Sequence, residues 1–322
     1  LTQVTIPSSV THIKEFAFSE CISLPQVTIP SSVSLIERYA FGECSSLKQI
    51  TFQSQNTSLN AYSFNRCTSL IEISFDKSSS VRSIGKNAFN KCTSIEQITF
   101  PSSLIFIGRN AFESCTKLKE ISFDKDSSIE SIYNYAFNKC SSLKKISIPQ
   151  SLSRIYNYVF NKCSSLTDIY FEQNSNLRKI GRNAFTKCSS LRKIVFPSSV
   201  NSIEQKAFDE CTLLNEVTLS PSMKTINKKI FNNCPLVEEV TISSSVEIIQ
   251  SAFDNLTSLK KKNTFESPSS VRCLKAYSFN KCKLLTEIII PPSVKLITSY
   301  VFCGCKSIKK IEIPSSVTKI GD

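Results

Sequence analysis

A segment that opens and closes on the same dipeptide constrains this chain more than any other feature. From Ala88 to Phe112 the sequence reads AFNKCTSIEQITFPSSLIFIGRNAF, one complete unit ending on the Ala-Phe with which it began. Aligned on the phenylalanine, the unit recurs at Phe18, Phe41, Phe64, Phe89, Phe112, Phe137, Phe160, Phe185, Phe208, Phe231, Phe253, Phe279 and Phe302, in steps of 23 or 25 residues apart from one of 22 and one of 26. A period in this range marks a solenoid, in which each unit buries its apolar side only against its neighbours. A length of 322 residues would otherwise suggest two domains. The repeat instead predicts one, spanning 1–322 and cut within a repeat at both ends, as a fragment of something longer would be.

The consensus A-F-x-x-C-x-S-L-x-x-I-x-I/F-P-S-S-V-x-x-I-x-x-x divides into three physical parts. In the Ala88 unit Ile98 and Phe100 alternate with Gln97 and Thr99, the period of a half-buried strand. One such strand per unit, always in the same direction, can pair only in parallel. A turn follows, usually P-S-S, where Pro7, Pro30, Pro101, Pro197 and Pro314 end the ladder by lacking an N–H. In longer units a polar loop replaces it, as at Phe75 to Ser80, Phe123 to Asp126 and Phe171 to Asn174. The remaining V-x-x-I-x-x-x-A-F-x-x-C leaves room for a short extended piece and a single 3₁₀ or α turn. The expectation is a β-rich solenoid of about thirteen 22–26-residue repeats, with a parallel sheet on its inner face and short extended segments and turns behind. Three units are irregular, the last where Phe302 is followed by Cys303-Gly304-Cys305 and the pattern reaches its last full copy. The segment Leu59 to Phe64 reads as lacking three return residues, including the Ile, and Lys260 to Phe265 reads as a bulged or frayed strand.

Fourteen cysteines are conspicuous, and twelve occupy one slot three residues after the Phe; the exception there is Leu256. A slot that accepts Cys or Leu is small and apolar, so the expectation is a column of buried thiols. Disulfides between stacked copies are disfavoured by parallel Cβ vectors, and metal binding by the absence of a C-x-x-C pair; Cys273, Cys303 and the Cys282 region are the exceptions to watch. Catalysis finds no support in the single His12 or in any recognisable nucleotide, zinc-protease or nucleophile motif, so no enzyme activity and no cofactor are expected. No run of about 18 apolar residues exists that could span a bilayer.

Net charge is +13, and it is uneven: residues 1–161 hold 16 Lys/Arg against 12 Asp/Glu, and 162–322 hold 23 against 14. The densest run is Arg178, Lys179, Arg182, Lys187, Arg192 and Lys193, with no acid between Glu172 and Glu204. Such a field favours acidic proteins, sulfated glycans or other polyanions without choosing among them; a solvated face that keeps the array soluble is the plainer reading. The strand slots that face outward vary from copy to copy. Early copies carry Gln or Glu with Thr or Ser, whereas the middle carries Lys145, Asp168, Tyr170, Lys193 and Val195, an amphipathic group of the type interfaces use. These five, backed by Arg178, Lys179, Arg182 and Lys187, are the candidate partner-binding residues. Tyrosines two residues before the Phe, with Tyr133 and Tyr156, form a further stripe suited to shielding the back or to a second contact. Glycosylation sequons stand at Asn56 and Asn255 and matter only if the chain is secreted.

The unit closely resembles the BspA-like leucine-rich repeats, carried here by Leu118, Ile121, Phe123, Ile129, Ile132, Ala136, Phe137 and Cys140 and their counterparts throughout. The resemblance implies a leucine-rich-repeat solenoid and suggests a cell-surface or secreted adhesin that binds host matrix or neighbouring-cell proteins. It transfers no specific site. An intracellular scaffold or regulatory subunit is the alternative, which unpaired cysteines in a reducing compartment fit. A polyanion binder using the basic C-terminal half is the third; acidic glycans fit it, and nucleic acid is the least favoured partner.

Overall fold

In the computed structural model the described residues are 1–53, 58–76, 80–260 and 265–322. They cluster into two compact units, Leu1–Ser175 and Asn176–Asp322. The chain is a parallel-strand β-solenoid of about 13 turns, with no helix among the described residues. The sequon at Asn56 and residues 77–79 of the first polar loop lie outside them.

In the first unit the alternating segments form two parallel ladders on the strand face. One joins Gln26–Ile29, Gln49–Phe52 and Glu72–Phe75; the other joins Gln97–Phe100, Glu120–Phe123, Lys145–Ile148 and Asp168–Phe171. Register is set by like on like: Ile98 pairs with Ile121 and Phe100 with Phe123, because a slip of one residue would turn every apolar side chain outward. In the second unit Lys193–Val195, Glu216–Thr218 and Glu239–Thr241 form one ladder and Glu287–Ile289 with Lys310–Glu312 another. Between these two ladders, residues 261–264 of the expected frayed strand lie outside the described residues, and Phe265 makes a single parallel bridge to Ile242.

The return segment also pairs. Its extended piece is a two-residue strand in every coil, such as Ser83–Ile84, Phe106–Ile107 and Ser131–Ile132, so a second parallel sheet runs opposite the first. The expected gap at Leu59 is not one. Leu59 takes the place of the Ile, aligned with Ile36 on one side and Ile84 on the other.

Around Ala-Phe the chain makes no helical turn but a series of tight turns. In the Phe64 coil the N–H groups of Ser63, Asn65 and Cys67 bond back to the carbonyls three residues earlier, while those of Tyr62, Phe64 and Arg66 bond forward to Lys86, Ala88 and Asn90 of the next coil. This alternation requires a left-handed residue two before and two after each Phe. All thirteen coils have both, from Phe16 and Glu20 (φ 58° and 57°) to Tyr300 and Gly304 (φ 60° and 74°). The P-S-S segments close similarly: the N–H of Val33 bonds to Pro30 O and that of Val200 to Pro197 O.

The core lies between the two sheets. Phe41, Phe64, Phe89, Phe112, Phe137 and Phe160 are fully buried, and from Phe41 to Phe137 successive rings stack 5.1 to 5.3 Å apart. Strand phenylalanines meet the column edge-on, as Phe52 does Phe64 at 87°. Burying one such ring contributes about 2–3 kcal/mol. In the second unit Phe185 stacks on Phe208 and Phe253 and Phe279 continue the column.

Candidate functional site

On the strand face of the first unit the outward slots form two columns, Gln26, Gln49, Glu72, Gln97, Glu120, Lys145 and Asp168 in one and Thr28, Thr51, Ser74, Thr99, Ser122, Ser147 and Tyr170 in the other. Much of this surface is bonded to itself. Gln49 donates to Glu72 at 3.2 Å, Ser74 to Glu72 at 2.7 Å, and the hydroxyls of Thr99 and Ser122 lie 2.8 Å apart. Beside it Lys119 reaches Glu96 at 2.7 Å, and that hydrogen bond holds the Glu96 carboxyl below its ordinary pKa. The last two strands break the pattern. Lys145 lies opposite Asp168 and Ser147 opposite Tyr170, whose ring is 52% exposed among neighbours that are small and polar. Three of the sequence-predicted residues, Lys145, Asp168 and Tyr170, therefore stand on adjacent strands.

The other six lie in the second unit, in two places. Lys193 and Val195 face outward from one strand, with Val195 opposite Thr218 and Lys193 paired to Glu216 at 2.6 Å. Arg178, Lys179, Arg182 and Lys187 belong to the return segment and the turns that follow it. The run that is free of acids along the chain is not free of them in space. The next coil places Glu204 at 2.5 Å from Lys179 and Glu210 at 3.5 Å from Lys187, while Glu204 also accepts the Arg182 N–H. Exposed pairs of this kind contribute little to stability, but they reduce the free charge of the patch.

The cysteine slot is buried, as its occupancy predicts, yet it is not merely apolar. Ten of the twelve slot thiols donate to the carbonyl of the Phe one coil earlier, among them Cys67 to Phe41 at 3.2 Å, Cys115 to Phe89 at 3.3 Å, Cys140 to Phe112 at 3.3 Å and Cys211 to Phe185 at 3.3 Å. The same carbonyl accepts the N–H of the Cys in its own coil, as Phe89 O does from Cys92, so both lone pairs are used. Burial pushes the thiols of Cys67, Cys115, Cys140 and Cys211 up, well beyond the ordinary range. All fourteen cysteines are free thiols, and Cys303 is exposed. Among the described residues no three His, Cys, Asp or Glu side chains are grouped to hold a metal, and no helix is long and apolar enough to cross a membrane. His12 is exposed and lies 3.0 Å from the Thr11 hydroxyl.

A second polar column went unseen in the sequence. Just after the Phe, Asn65 donates to Asn90, Asn90 and Asn138 donate to Glu113, and Asn161 donates to Asn138. The recurrence of N after A-F was the available signal.

Two parallel sheets of short strands around a phenylalanine column define a leucine-rich-repeat solenoid. The BspA type leucine rich repeat region (6 copies) matches residues 1–81, 74–189, 178–265 and 252–322, and the chain belongs to this family. Among solved structures it is similar to a leucine-rich repeat protein from Bacteroides ovatus ATCC 8483, with 27% identity over 95% of this chain and 83% of that one and a TM-score of 0.68. It is also similar in fold to the pneumococcal vaccine antigen PcpA, with 20% identity over 91% of this chain and 88% of that one and a TM-score of 0.50. No curated protein sequence matches the chain.

Proposed function

We propose that the chain is a non-enzymatic, adhesin-type scaffold at the cell surface that binds a protein of the host matrix or of a neighbouring cell through its strand face. The observation that carries this reading is the change in the outward slots of the first unit. Five coils present Gln, Glu, Thr and Ser, several of them bonded to one another, and then Tyr170 stands exposed with Lys145 and Asp168 beside it. Tyrosine flanked by opposite charges is a composition that binding hot spots favour. Lys193 and Val195 offer a second such contact on the face of the other unit.

Retention on a panel of immobilised extracellular-matrix proteins tests it. Tyr170→Ala should weaken binding at least tenfold with the unfolding temperature unchanged, while Thr51→Ala should not. Equal binding by the Tyr170→Ala variant and the parent chain would remove the strand face from the reading. The column of free thiols supports the second reading, an intracellular scaffold, because disulfide-poor, cysteine-rich chains suit a reducing compartment. In that case none of the matrix proteins would retain the chain.

A further inference from the structure

The ladder on the strand face of the first unit breaks between Glu72–Phe75 and Gln97–Phe100, while the return strands beside it stay paired from Ser58–Leu59 through Ser83–Ile84 to Phe106–Ile107. The sequence explains the break. Where the residue that leaves the strand has an N–H, it bonds to the coil before: Gln53 to Ile29 O, Asp76 to Phe52 O, Asp124 to Phe100 O and Glu172 to Ile148 O. Pro101 and Pro149 have no N–H to give, and each follows a coil that leaves its strand by a polar loop. The Lys145 strand is accordingly paired with the Glu120 strand over two residues, and the Gln97 strand is not paired with the Glu72 strand at all. Among the described residues no backbone hydrogen bond joins those two strands, so N–H and C=O groups on their facing edges are left to water or a ligand.

A cavity of about 600 Å³ opens over the break. Its apolar wall is Ile71, Ile73, Phe75 and Pro101, and Ile71 is exposed in a slot that the neighbouring coils fill with Lys48 and Glu96. Its charged groups are Glu72, Glu96, Glu120 and Asp124 against Lys119 alone, a net −3 in a chain of +13. Lys119 is taken by Glu96. Glu72 accepts only from neutral donors, Gln49 and Ser74. The side chains of Glu120 and Asp124 have no hydrogen-bond or ion-pair partner among the described residues, and Lys48 and Lys145, on the coils that flank the cavity, form no ion pair there.

We propose that this cleft is a pocket for a lysine or arginine side chain of the protein that the strand face binds, its aliphatic stem along Ile71, Ile73 and Phe75 and its charged head among Glu72, Glu120 and Asp124. The proposal rests on the strand-face reading and adds the chemistry of the partner. Two points favour it. A long cationic side chain joins methylenes to a charge, and the cleft joins an apolar wall to carboxylates without cations of their own. A chain of net positive charge holds a further cation only where acids are concentrated and unpaired. The acids on the second unit's face differ in this respect, since Glu216 is paired with Lys193 and Glu238 with Lys260.

The test is fluorescence anisotropy of a labelled octa-arginine peptide with the full chain at physiological salt. The expected result is saturable binding that Glu120→Gln/Asp124→Asn weakens at least tenfold and that Thr99→Trp, which fills the cleft without changing its charge, weakens as well. Glu238→Gln/Glu239→Gln, which removes the same charge from the second unit, should leave it within twofold, as should Tyr170→Ala. Unfolding temperatures establish that each variant is folded. The proposal is overturned if the peptide does not bind, if the second-unit pair matters as much as the first, if Thr99→Trp binds as the parent chain does, or if spermine displaces the peptide as well as unlabelled octa-arginine does. Any of these results with matrix retention still dependent on Tyr170 overturns this proposal alone. Loss of that dependence with the peptide still bound overturns the strand-face reading and leaves the pocket for basic side chains standing.

Discussion

The thiol of Cys140 donates to the carbonyl of Phe112, and this single contact explains why the slot holds cysteine rather than any small apolar residue. Valine would fill the volume and leave one lone pair of that carbonyl unused. Cys140→Val should therefore cost about 1 kcal/mol, read as a lower unfolding midpoint in denaturant. The sequence reveals that the slot is small and buried, because Leu256 fills it once; it cannot reveal the donor, because the acceptor is 28 residues away. The buried thiols also set a pH limit. Their folded pKa lies far above the unfolded value of about 8.5, so the native state holds protons that the unfolded chain releases. Their contribution is fully present below that pH and is lost above it, by about 1.4 kcal/mol per pH unit for each such thiol. Thermal unfolding scanned from pH 7 to pH 10 should show a steep loss of stability above pH 9, and a flat profile would mean that the thiols are not buried.

At the scale of the element, the face strands were legible and the turn stack was not. Alternation such as Q-I-T-F from Gln97 states both strand and inward face. The return strands are two residues long, too short for any periodicity. The left-handed residues flanking each Phe are often Tyr or Lys, types that give no hint of positive φ. That conformation costs a residue with a Cβ about 1–2 kcal/mol, which is offset by the bonds to the next coil. Lys139 has φ 63°, so Lys139→Gly should leave stability unchanged or raise it by up to about 1 kcal/mol, despite the greater freedom of glycine in the unfolded chain. Gly85 behaves oppositely. A Cβ there would lie 2.5 Å from the Leu59 carbonyl oxygen, and the coil spacing cannot open locally, so Gly85→Ala should cost about 1–3 kcal/mol.

For the whole molecule, the repeat period and the alternation within it made nearly all of the architecture legible, since coils that differ only in their outward slots must stack in one way. The candidate site was legible only in part. Tyr170 could be picked out as an exposed departure from a polar column, but charge could not be read along the chain: Lys179 and Glu204 are 25 residues apart in sequence and 2.5 Å apart in space. Within the stack a lost ring is felt by two neighbours, so Phe137→Ala should cost about 3–5 kcal/mol, and unchanged thermal stability would mean that the column is not the core. The central claim, that each unit is built around a buried column of Phe and Cys, is tested most directly by alkylating the native chain at neutral pH and mapping each cysteine by mass spectrometry. Cys303 should react at once, Cys21, Cys273 and Cys305 more slowly, and the ten buried thiols only after denaturation. Reaction of several of those ten at the rate of Cys303 would contradict it.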